Sequence, residues 1–205
     1  MMPLRPLFLA GVALLALAGP ALAQPKADPD WPCVQRKTPE IDLAQVWNGP
    51  APSTAGPWTD DQDAATLAQK LASRRTPMEE VDPLLDAYMK AAGSSAETGL
   101  LRVMAGVYEI INTERSRLVH GIERYARGQR RLADRIRQEA EQVSRAKAEG
   151  TDSAEARSLE EQLTWDSRIF DERARSLTYV CETPVMLEQR AYEIGQRIAG
   201  RMKGG

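Results

Sequence analysis

Histidine is almost missing from this chain: His120 stands alone in 205 residues, beside two cysteines, Cys33 and Cys181. So thin a supply of ligands argues against zinc, di-iron and c-type haem centres, which draw on several histidines or on a Cys-x-x-Cys-His run. No Gly-rich phosphate loop and no EF-hand-type run of oxygen ligands is present. Neither a metal nor a cofactor is expected. Charge of one sign is missing too: 27 Lys+Arg stand against 29 Asp+Glu, a net charge of −2. That balance gives no overall pull toward nucleic acid, which is not an expected partner. A catalytic triad would have to run through His120 with Ser116 one turn away, among arginines on an outward face. An enzyme is therefore not expected.

Long apolar runs are scarce, and the one present lies at the start. Arg5 precedes Leu7–Ala18, and Ala21-Leu22-Ala23 reads as a small-x-small cleavage site, so residues 1–23 are read as a secretory signal peptide. The run is shorter than the ~20 residues of a bilayer span, and no later stretch qualifies. A periplasmic or secreted protein with no transmembrane segment after cleavage is expected. In an oxidising compartment Cys33 and Cys181 should form a disulfide.

Proline is unevenly spread, with seven between Pro25 and Pro57 and none between Leu84 and Thr183. Residues 24–58 thus cannot form a long helix, because each interior proline costs ~3 kcal/mol. Trp31, Trp47 and Trp58 argue against a free tail, since burying such rings is a large apolar gain. These residues read as an extended strap with a turn or two of helix around Ile41–Trp47, laid over a helical body and pinned by Cys33. Residues 59–93 carry two short helices of a small head, with Thr59-x-x-Gln62 and Thr76-x-x-Glu79 as capping boxes and Asp82 before Pro83 as a restart. Gly93 ends the second, and Ser94-x-x-Glu97 opens the next.

A 3-4 spacing then holds from Leu101 to Ala146, with eleven of fourteen seam positions apolar and Arg115, Gln129 and Glu139 as exceptions. Such a heptad predicts one long helix over 94–149, a rod of about 80 Å. Gly150 caps it, and Asp152-x-x-Glu155 restarts a helix over 150–203 after too short a connection for anything but an antiparallel neighbour. The return seam runs Ala156, Leu159, Leu163, Asp166, Phe170, Arg173, Leu177, Val180, then Leu187 to Ile198. Pro184 should kink or break it near 181–184. The expected fold is all-α: a long antiparallel two-helix coiled-coil hairpin with a small helical head and an extended Pro/Trp-rich strap. A second apolar stripe, Leu100, Val103, Val107 and Ile110, should pack the head, leaving a bare two-helix stalk beyond Val119. In plan this resembles secreted helical-hairpin proteins of bacterial envelopes, a likeness of architecture that implies no activity.

Between Arg115 and Arg137 there are eight arginines and two acids. Arg117, His120, Arg124, Arg127 and Arg131 stack in one outward stripe, which serves either as a docking surface for an acidic envelope protein or polymer, or as a solvated face answered by Asp166, Asp171 and Glu172 of the return helix. Trp165, off the seam near the stalk tip, is either an anchor for a partner or a second copy, or a cover over the seam's edge near Ile136. Glycines 99, 106, 121 and 128 inside the long helix point to close approach by neighbours. The expected function is non-enzymatic protein–protein interaction, as scaffold, adaptor or holdase. The alternative is an accessory protein holding a small ligand, metal or cofactor in the head, with the strap tryptophans as walls.

Overall fold

The computed structural model describes residues 28–150 and 153–202. The expected signal segment 1–23 and the capping residue Asp152 lie outside the described residues. Five α-helices run in order: α1 Leu43–Val46, α2 Gln62–Ala72, α3 Val81–Ala92, α4 Ala96–Ala148 and α5 Ala154–Met202, with short 3₁₀ turns between the first four and no strand among the described residues. The antiparallel α4–α5 hairpin is the body of the molecule.

Capping chemistry places the short helices, at positions slightly different from those the sequence suggested. Asp61, not Thr59, caps α2, its carboxylate accepting from Ala64 N at 3.0 Å. Thr76 caps nothing; its hydroxyl donates to Lys70 O at 2.7 Å. The next segment opens as a 3₁₀ turn, Met78–Glu80, and α3 follows from Val81. Pro83 falls in the first turn of α3, where a missing N–H costs nothing, so no restart at Asp82 is needed. Gly93 and Gly150 both take positive φ, 56° and 67°, which glycine adopts readily, where α3 and α4 end. Ser153 does the expected work of Asp152, its hydroxyl accepting from Ala156 N at 3.1 Å.

The expected seam positions of α4 are all buried or half-buried. Toward the tip, polar rungs hold α4 to α5. Tyr125 donates to Arg173 O at 2.7 Å, Gln129 to Phe170 O at 3.2 Å, and Gln162 to Glu139 at 2.9 Å. Arg135 meets the buried Asp166 at 2.6 Å. Arg173 and Val180, expected in the return seam, are exposed. Helix α5 runs unbroken through Pro184, although a proline there removes the donor that Val180 O would otherwise meet.

At the other end the second stripe of α4 (Leu100, Val103, Val107) and Met104 pack with Leu67, Leu71, Leu85 and, from α5, Leu187, Ile194 and Ile198 into the main core. Strap residues Ile41, Val46, Trp47 and Ala55 join it. Close approach is visible at Gly106, where an added Cβ would lie 2.7 Å from Ala68 Cβ, and at Gly99 against Tyr88. Cys33 and Cys181 form a disulfide that closes a loop of 148 residues.

Candidate protein-binding faces of the hairpin

The strap decides which faces of the hairpin remain open. From Ala55 it runs back along α4, away from the head. Ala55 O accepts from Arg102 Nε at 2.8 Å, Ile41 N donates to Asn112 Oδ1 at 2.8 Å, and Tyr108 donates to Ile41 O at 2.8 Å. Arg115, only 5% exposed, donates to Thr38 and lies 3.4 Å from Glu188. Ser116 donates to Pro39 O at 2.8 Å, so its hydroxyl is not turned toward His120. Lys37 bridges Asp28, at 2.8 Å, and Glu123. Asp30 takes both Arg127, at 3.0 Å, and Arg130.

These contacts correct two expectations. The stalk is not bare beyond Val119, because the strap runs along one flank of α4 as far as Arg130, past the buried Val119 and Ala126. Nor is the arginine stripe answered by α5. Asp166 serves Arg135 and Glu172 serves Arg168, while Asp30 of the strap holds Arg127 and Arg130. An extended segment has no period to read, so this partner of the stripe was invisible in the sequence.

The ion pairs shift the groups they join. Arg130, then Arg127, holds the Asp30 carboxyl below its ordinary range. Lys37 lowers Asp28 and, with His120, Glu123, while Asp28 and then Glu123 push the Lys37 ammonium up to about 12.

Removing Arg127 from the stripe leaves Arg117, Arg124 and Arg131, all exposed, with no ion pair among the described residues. His120 contacts Glu123 at 3.3 Å. Gly121 and Gly128 lie between these arginines and contradict the expectation of a close neighbour. An added Cβ would meet only Arg124 Nη2 at 3.8 Å and Arg131 Nη2 at 4.0 Å, respectively.

The other open face belongs to α5. Trp165 is 61% exposed. It begins a line of 3-4 steps through Ile169, Glu172, Ser176, Tyr179, Thr183 and Met186, in which Tyr179 is 76% and Met186 55% exposed, with Val180 beside it. Tyr179 and Met186 escaped the sequence reading because the strong seam drew attention to Val180. A second heptad line offset from the seam was the available signal.

The head carries a groove of about 580 Å³ lined by Asp61, Asp63, Lys70, Leu84 and Tyr88. Burial, then Asp61 and Asp63, pushes the Tyr88 phenol up to about 12. None of the strap tryptophans lines it. Trp31 donates to Gln35 O at 2.6 Å beside a smaller cleft near Cys181, Trp47 donates to Pro50 O at 2.7 Å, and Trp58 donates to Glu109 at 2.8 Å. Among the described residues no group of three His, Cys, Asp or Glu is placed to hold a metal ion, and no helix is long and apolar enough to cross a membrane. Comparison with protein-family models, curated proteins and solved structures finds no match.

Proposed function

We propose that this chain is a non-enzymatic protein of the periplasm or extracellular space that works by binding another protein along the outward faces of its helical hairpin. The observation that carries the reading is the bare line on α5. Trp165, Tyr179 and Met186 stand uncovered fourteen and seven residues apart, which is about 21 and 10 Å along a helix. Exposed aromatic side chains on a rigid element are the residues that most often anchor interfaces. The disulfide supports an oxidising compartment, and the hairpin gives a partner a long, stiff edge. A scaffold, an adaptor and a holdase would all use such an edge.

The test places a photoreactive residue at position 165 or 179 and, as a control, at exposed Glu141, in cells of the native host. Protein adducts at 165 and 179 well above those at 141 are expected, and an adduct of twice the chain's mass identifies a second copy as the partner. Adducts no more frequent than at 141 overturn the reading. A second reading is favoured by the head groove, whose mixed acidic, basic and phenolic lining suits a small polar ligand. Native mass spectrometry of protein from its own host then finds a co-purified small molecule, lost when Tyr88 and Lys70 are replaced by alanine.

A further inference from the structure

We propose that the open face of α4 receives an acidic α-helix of a partner protein, its carboxylates repeating every seven residues against Arg117, Arg124 and Arg131 and its backbone close over Gly121 and Gly128. This names the partner chemistry for one face of the hairpin and rests on the reading that the hairpin binds protein.

Charge is the first ground. Neighbouring arginines of α4 are engaged within the chain: Arg115 by Thr38 and Glu188, Arg127 and Arg130 by Asp30, Arg135 by Asp166 and Arg137 by Asp134. Arg117, Arg124 and Arg131 make no ion pair with any described residue, and Glu114, close to Arg117 in sequence, turns to Arg74 at 3.8 Å. Residues seven apart drift only ~20° around a helix, so the three guanidinium groups form one row. A row of guanidinium groups without carboxylate partners favours an anionic occupant.

Glycine is the second ground. Gly121 and Gly128 each follow one arginine of the row by four residues and precede the next by three. Folding does not require them, since a Cβ at either would meet nothing nearer than 3.8 Å. Each costs up to ~1 kcal/mol relative to alanine in a helix interior. At Gly106 the same cost is offset by packing on Ala68. On the open face they leave notches between the arginines, where a second backbone can come close.

Period decides the form of the occupant. The arginines recur about every 10.5 Å along α4. A helix with acidic residues seven apart keeps step with them. Side chains on one face of an extended strand recur about every 6.8 Å and fall out of register. An anionic lipid surface would answer the charge but has no use for the notches.

The probe is a hydrocarbon-stapled, fluorescein-labelled helical peptide with three glutamates at seven-residue spacing and alanines around them. Its control has the same composition with the glutamates spread around the helix. Fluorescence anisotropy with the full chain should show the patterned peptide binding about tenfold more tightly than the control. Replacing Arg117, Arg124 and Arg131 by glutamate should abolish that preference. So should Gly121→Leu with Gly128→Leu, which fill the notches while improving helix propensity; their thermal melts are expected to be no lower than the parent's. Equal affinity for the two peptides overturns the proposal. An undiminished preference in the leucine variant does so too, as does arginine-dependent flotation with phosphatidylglycerol vesicles without peptide discrimination. Failure here with cross-linking intact at position 165 sinks the acidic helix alone. Failure at both sinks the protein-binding reading.

Discussion

Four glycines inside one helix meet two opposite situations, and their replacement separates the two. Gly106 and Gly99 face Ala68 and Tyr88 at distances no Cβ tolerates, whereas a Cβ at Gly121 or Gly128 would make only ordinary contact with the tip of Arg124 or Arg131. Gly121→Ala and Gly128→Ala should each raise stability by up to ~1 kcal/mol. Gly106→Ala should lower it by about 1–3 kcal/mol, the usual cost of overpacking. Urea unfolding checks all three. The sequence signal that separates these pairs was the second apolar stripe, which runs beside Gly99 and Gly106 and stops short of Gly121 and Gly128. The strap's ion pairs make a second prediction. Asp28, Asp30 and Glu123 have carboxyls held below their ordinary values of 3.8 and 4.5, so their contribution is present above those values and lost as pH falls through the lowered ones. Lys37 is the reverse case, contributing below 10.5 and losing its effect as pH rises through about 12. Amide exchange, corrected for its intrinsic pH dependence, should show residues 28–38 losing protection below about pH 4 before α4 does. These pairs lie at the surface, exposed or half-buried, so raised salt should weaken the same segment. Equal loss along strap and helix contradicts this.

Periodic elements were legible and the extended one was not. The 3-4 spacing located both long helices, because a seam must be apolar at intervals the helix itself imposes. Even the polar exceptions found their meaning in the hairpin: Gln129 and Glu139 reach α5, and Arg115 reaches both Thr38 and Glu188. Strap partners on α4 lie 47 to 101 residues away in sequence, and nothing local signals them. Only Cys33, through its pairing with Cys181, hinted where the strap would lie. The disulfide is therefore the element-scale prediction. Replacing both cysteines by serine removes the closure of a loop of 148 residues, which is worth up to about 5 kcal/mol in the chain-entropy model. A lower denaturant midpoint with nearly unchanged helical circular dichroism is expected, and an unmoved midpoint contradicts it. Within the seam, Ile122→Ala should cost about 2–5 kcal/mol, since Ile122 is 1% exposed where α4 meets α5.

One rod with a head at one end ties these pieces together. Helix α4 has 53 residues and α5 has 49, and the strap lies along the part of α4 nearest the head. Three consequences share that geometry: the strap shields one flank, α5 bares its aromatic line, and Arg117, Arg124 and Arg131 of α4 find no ion-pair partner among the described residues. A compact bundle built from the same residues would bury some of these faces against others and leave no long edge for a partner. Small-angle X-ray scattering on the chain from Gln24 onward asks this directly. The hairpin requires a longest dimension of at least about 80 Å and a radius of gyration above 20 Å. A radius near 16 Å, as expected of a globule of this length, would contradict it.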